Sequence, residues 1–135
     1  MWVEDELADD RVAAEVDAGL FFVAECGGEI AGAVRFQLHD QLFWPDLETR
    51  DSAFVHRLAV KRAYAGRSVS IALLRWAVDR ARELGMQHLR LDCDADRPRL
   101  RDVYEQFGFR FHSLRQVGSY YVARYELPVG AGKRT

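Results

Sequence analysis

A chain of 135 residues and 15.5 kDa is one domain's worth of sequence, long enough to bury a real core and too short for a second folding unit. Its 49% hydrophobic, 30% charged and 12% aromatic residues are the balance of a soluble globular protein, which excludes a disordered tail or a fibre. A formal charge of -2 gives no electrostatic reason to expect nucleic acid, no run reaches the ~18 apolar residues of a membrane helix, and the start MWVEDE lacks a secretory core, so the expected setting is cytoplasmic, with neither nucleic acid nor membrane as partner.

In chain order, Leu7, Val12, Ala13 and Val16 fall near helical spacing and Gly19 stops the run, which predicts a short amphipathic helix over 5–18. Residues 20–26 (LFFVAEC) and 29–38 (EIAGAVRFQL) read as antiparallel strands joined at Gly27-Gly28. The stretch 39–53 reads as a functional loop, with Trp44-Pro45 and the carboxylates Asp40, Asp46, Glu48 and Asp51. A third strand, 54–60 (FVHRLAV), runs into a basic turn. Beyond it Val69, Ile71, Leu74, Ala77, Val78, Ala81 and Leu84 mark the longest helix, stopped by Gly85. A strand over 88–93 (HLRLDC), a helix over 99–107 introduced by Pro98 and ended by Gly108, and a hairpin over 109–115 and 119–127 follow. Only the third and fourth strands are joined through a helix, so they must be parallel and the sheet mixed. The fold class is α/β (α+β), as a single domain over 1–127, and residues 128–135 read as a frayed tail.

Cys26 and Cys93 belong to no CxxC pair and read as reduced thiols, and Cys93 as packing. His39, His56, His88 and His112 show no ligand spacing, so no metal is expected. Arginine outnumbers lysine 17 to 2, a bias toward phosphate and carboxylate contacts that decides nothing alone. The informative segment is strand, turn and helix over 54–84. A helix that begins just after Gly66-Arg67-Ser68-Val69-Ser70 presents unpaired amides and a partial positive charge to an anion. The same residues also suit a plain turn capped by Ser68.

The run VHRLAVKRAYAGRSVSIALLRWAVDRARELGMQHLRLDC, followed by LRDVYEQFGFR, resembles the acetyl-CoA-binding motifs of the GNAT N-acetyltransferase superfamily, in family order and spacing. The resemblance covers roughly residues 2–127 and implies a mixed sheet with a central parallel pair flanked by helices. It implies that the backbone of Leu58, Ala59 and Val60 faces pantetheine. Ala65, Gly66, Arg67, Ser68, Val69 and Ser70 would cradle the pyrophosphate, and Tyr104 would serve as general acid toward the CoA sulfur.

Three features depart from the family pattern. Ala65, Ser68 and Ser70 stand where its turn carries Arg or Gln, Gly, and Gly or Ala, which predicts retained but weakened CoA binding. Arg97 replaces a common asparagine, and the resemblance implies that an arginine there could meet a CoA phosphate. The family's first strand and helix are missing ahead of the acidic helix, which leaves three readings: a second subunit covering the edge as a homodimer, a start upstream of Met1, or a degraded relative.

An alkyl ammonium must lose a proton before it can attack a thioester, so a base or water relay is needed. His56, Glu48 and Asp46 are the candidates. The acidic, aromatic loop with Phe43, Trp44, Asp46, Glu48 and Asp51 suits a cationic small-molecule or peptide amine. The expected function is acetyl transfer from acetyl-CoA to a primary amine by direct attack in a ternary complex. The alternatives are a non-catalytic CoA-binding or regulatory domain and an interaction module without CoA.

Overall fold

The computed structural model describes residues 21–47, 50–64 and 67–130. The helix expected over 5–18, and the question of a strand before it, lie outside the described residues. β1 (Phe21–Cys26) and β2 (Glu29–Gln37) form the expected hairpin, and Gly27 and Gly28 at its tip have φ of 59° and 85°, the left-handed pair that a two-residue turn requires. β3 (Ser52–Val60) begins two residues earlier than its alternation suggests, then a 3-10 turn (Arg62–Tyr64) leads to α1 (Arg67–Glu83). α1 ends where Gly85 (φ 77°) lets Met86 N–H reach the Ala81 carbonyl at 2.9 Å and Gly85 N–H the Arg82 carbonyl at 3.0 Å. β4 (His88–Asp94), α2 (Pro98–Phe107), β5 (Arg110–Val117) and β6 (Tyr120–Pro128) complete the order.

The six strands of the described residues form one sheet in the order β1-β2-β3-β4-β6-β5, with β3 and β4 parallel as expected and the other neighbours antiparallel. β6 takes the inner place beside β4 because Val122, Ala123 and Tyr125 are buried, whereas β5, carrying Arg110 and Arg115, tolerates the edge. The chain beyond β6 is held for longer than the frayed-tail reading allowed. Val129 is buried, donates its N–H to the Gln87 carbonyl at 2.9 Å and accepts Arg82 Nε at 3.0 Å, so 128–130 belong to the fold.

The two faces of the sheet differ. α1 and α2 cover one face, where Val55, Leu58, Val60, Leu89, Leu91 and Cys93 pack against Leu73, Leu74, Ala77, Leu100 and Tyr104. The loop after β2 folds over the other face, anchored by the fully buried Trp44 against Phe54. α1 starts tight against the sheet at Gly32, where a Cβ would stand 2.7 Å from the Ala59 carbonyl oxygen and 3.0 Å from Val69. Gly32→Ala is therefore expected to destabilise the fold by about 1–3 kcal/mol in urea unfolding. Unchanged stability would show that α1 steps back freely.

Candidate active site

β3 and β4 stay together for only part of their length. Their ladder pairs Ser52 with His88 through Val55 with Leu91, yet β3 continues to Val60 and β4 to Asp94. Past that point β3 pairs only with β2, and Val34 faces two β3 residues, Arg57 and Leu58. Such a bulge breaks the ladder and re-aims backbone groups. A cavity of about 710 Å³ fills the split. It is lined by His56 and Leu58 from β3, Asp92 to Asp94 from β4, Tyr104 from α2 and Arg97 just before it, Asp40 and Phe43 from the loop, and the β5–β6 turn. It thus reaches from the helix face, at Tyr104, to the loop face, at His56.

Tyr104 is only 4% exposed and lies on α2 against Phe109 and Tyr125, with ring centroids 6.0 and 6.2 Å away. Burial holds its phenol protonated far above the ordinary tyrosine range, with the neighbouring Cys93 and Asp92 adding to the effect. Cys93 itself is pushed up to about 12 by burial, so it stays a thiol and serves as packing, as expected. Arg97 sits at the start of α2 on the cavity wall, and its N–H meets the Asp94 carbonyl at 3.1 Å.

On the loop face His56 stands between two carboxylates. Its Nε2 lies 3.1 Å from Asp40 Oδ2 and its Nδ1 3.9 Å from Asp92 Oδ2. Asp40 Oδ1 accepts the amides of Leu42 (3.0 Å) and Phe43 (2.9 Å), which leaves Oδ2 for the imidazole. Burial alone would raise the Asp40 pKa, but His56 and the two amides outweigh it and hold the carboxyl below its usual value. Asp92 goes the other way: burial raises it to about 6 against the attraction of His56, with the Asp40 charge adding to the rise. Its cross-strand neighbour Arg124 relieves it only in part, because that guanidinium is held by Asp46 at 2.7 and 3.1 Å.

The ligand-type atoms of Asp40, His56 and Asp92 lie within 4.8 Å of one another, a grouping that spacing along the chain did not reveal. Asp92 and the position of Asp40 are what the sequence reading missed; the available signal was the alternation of HLRLDC, which places Asp92 on the face of His88 and Arg90.

Other sequence candidates land elsewhere. Glu48, Ala65 and Gly66 lie outside the described residues. Asp46 is no base: Arg124, with Arg115 at 3.5 Å, holds its carboxyl down to about 2. Asp51 faces His88 at 3.6 Å. Trp44 is fully buried, with the guanidiniums of Arg90 and Arg124 5.1 and 4.6 Å from its ring. Phe43 does line the cavity, with Tyr120 at 6.3 Å. The side chains of Leu58, Ala59 and Val60 are buried, and the side of the β3 backbone that β4 vacates is left to the split. In the first turn of α1 Ser68 is exposed whereas Val69 and Ser70 are buried, so of the two serines only Ser68 stands within reach of an anion from solvent. Neither helix of the described residues is long and apolar enough to cross a membrane.

Comparison with known proteins agrees with this geometry. The profile of the Acetyltransferase (GNAT) family matches residues 2–109. The Uncharacterized N-acetyltransferase YesJ of Bacillus subtilis (strain 168) is 30% identical over 104 residues, which cover 74% of this chain and 58% of that relative. The chain thus spans little more than half of that protein. The ribosomal-protein-S18-alanine N-acetyltransferase of Escherichia coli superposes with a TM-score of 0.68 at 21% identity, over 90% of this chain and 80% of that one. The yncA protein of Salmonella typhimurium, solved with its cofactor acetyl-CoA, does so with a TM-score of 0.68 at 18% identity, over 93% and 76%. A mixed sheet split at the one parallel pair among its described strands, in a chain whose matched segment spans most of its length, places this protein in the GNAT acetyltransferase family.

Proposed function

We propose that the protein is an acetyl-CoA-dependent N-acetyltransferase that acts on a primary amine by direct attack in a ternary complex. The observation that carries this reading is the cavity in the β3–β4 split, which joins a protonated phenol on the helix face to an imidazole and two carboxylates on the loop face. Family membership and the acetyl-CoA held by the Salmonella protein support the choice of cosubstrate.

The residues fit a pantetheine arm. The β3 backbone at Leu58, Ala59 and Val60 is free of β4 and offers strand-like hydrogen bonds, while the amides at the start of α1 and Arg97 offer contacts to phosphate. Bound acetyl-CoA supplies the acetyl group as an activated thioester. A backbone amide released by the β3 bulge meets the carbonyl oxygen, His56 takes the first proton from the ammonium, and Tyr104 hands a proton to the departing sulfur. The second proton on nitrogen restores the phenol, so the net products are the amide, the thiol and one proton.

Titration of the chain with acetyl-CoA, followed by thiol release in the presence of primary amines, tests the reading. Binding with turnover is expected. Binding without turnover would instead favour a CoA-binding regulatory domain. Tyr104→Phe should keep acetyl-CoA affinity and lower kcat by about 10²-fold or more. An undiminished kcat would remove Tyr104 from the proton path.

A further inference from the structure

The loop face of the cavity holds three polar atoms shielded from solvent: Asp40 Oδ2 and His56 Nε2, which face each other at 3.1 Å, and Asp92 Oδ2, which has no hydrogen-bond partner. Buried polar atoms of a folded protein are normally satisfied, so a cluster of this kind marks a place that a polar ligand completes. Its geometry is directional. Asp40 is anchored through Oδ1 by the Leu42 and Phe43 amides and is 4% exposed, so Oδ2 is fixed against Nε2. The other ring nitrogen, Nδ1, looks across 3.9 Å at Asp92 Oδ2, a gap wider than a hydrogen bond.

We propose that Asp40, His56 and Asp92 form one recognition unit for a cationic acceptor. Asp40 fixes His56 as the Nε2–H tautomer, Nδ1 is thereby the atom that takes the proton, and Asp92 binds the ammonium from which it is taken. This rests on reading the cavity as the acceptor site of acetyl transfer. Asp40 is a positioning residue, because it acts only through the imidazole. Asp92 touches the acceptor and sets its class: an alkyl ammonium completes the cluster with charge and donors, whereas an alcohol of the same shape leaves the carboxylate without a counter-charge. Phe43 and Tyr120 supply an aromatic wall beside it. The charge balance of the lining favours a cation: Asp40, Asp92, Asp94 and Asp96 stand against Arg35, which pairs with His56 across β2, and Arg97, while Arg124 faces Asp92 from β6 but is shared with Asp46.

The test uses the full ¹⁵N-labelled chain and reads the histidine ring nitrogens by long-range ¹H–¹⁵N correlation at pH 8. Wild-type His56 should show the Nε2–H pattern, and Asp40→Asn should convert it to a mixture. Ethylammonium chloride should shift the Nδ1 resonance saturably, ethanol should not, and Asp92→Asn should weaken the ammonium response at least about tenfold. An Nδ1–H pattern in the wild type overturns the positioning role. An equal response to ethanol, or undiminished binding in Asp92→Asn, overturns the recognition of ammonium, and both can be read even if Asp40→Asn fails to fold. Acetyl-CoA added to the same samples separates the two readings. The expected tautomer and ammonium response without acetyl-CoA binding would sink acetyl transfer and leave this site standing, and acetyl-CoA binding with the wrong tautomer would sink only this inference.

Discussion

Replacing Asp92 by asparagine is expected to make the protein more stable and less active at neutral pH. Burial raises the Asp92 pKa to about 6 from an ordinary value of 3.8, so its sign is opposite to that of a salt-bridged carboxylate. Below the ordinary value both folded and unfolded chains hold the proton, and the group contributes nothing. Between the two values the folded chain keeps a proton that the unfolded chain releases, so stability falls as pH rises. Above about 6 the whole cost of an ionised, buried carboxylate remains, on the order of 2–3 kcal/mol. Asparagine has the same shape and no charge to bury. Urea unfolding at pH 8 should therefore show a gain of about 2 kcal/mol, and most of that gain should vanish near pH 4. In the same variant kcat/KM for an amine should drop by about 10²-fold, because the charge that gathers the ammonium is gone. A variant no more stable than wild type at pH 8 would show that Asp92 is relieved in the folded state by a partner other than Arg124.

That trade between stability and activity is the kind of conflict a sequence hides. The strands, the two helices and their stops were legible because each rests on local chemistry: Gly27-Gly28 at a hairpin tip, the long apolar stripe of α1, Gly85 and Gly108 at helix ends, Pro98 at a helix start. The parallel pair followed from the helix between its strands. Of the candidate residues, His56 and Tyr104 were singled out by a residue type and a resemblance, and both line the cavity. Asp92 reads as one more polar position in an alternating strand. It becomes a site only because β3 and β4 part beside it, which is a relation between segments more than thirty residues apart. The acidic loop misled for the same reason. Asp46 and Trp44 look available in isolation, and the group that claims both, Arg124, lies 78 residues beyond Asp46.

Arg124→Met is expected to cost about 3 kcal/mol and to dismantle the acceptor side of the cavity while leaving the helix side intact. Arg124 is 3% exposed and makes contacts that no uncharged side chain replaces: both Asp46 oxygens, the Phe43 carbonyl at 3.0 Å, the Ser113 hydroxyl at 2.9 Å and the face of Trp44. Three of these partners, Phe43, Trp44 and Asp46, belong to the loop that carries Asp40. The loop therefore loses its main tie to β6, and the Asp40–His56 contact should loosen with it. Urea unfolding should report the lost stability, and the His56 ring-nitrogen pattern should become a mixture, as in Asp40→Asn. Acetyl-CoA affinity, which the proposed function assigns to β3 and the start of α1, should change little. The clamp also has an acid signature. Arg124 holds Asp46 down to about 2, so its contribution is full above the ordinary value of 3.8, shrinks as pH falls below that value and is gone once pH has fallen through about 2. Wild type should then outlast Arg124→Met to distinctly lower pH in an acid titration followed by tryptophan fluorescence, with Trp44 reporting the release of its own loop. If both unfolded at the same pH, the loop would be held by the Trp44–Phe54 contact and not by the guanidinium.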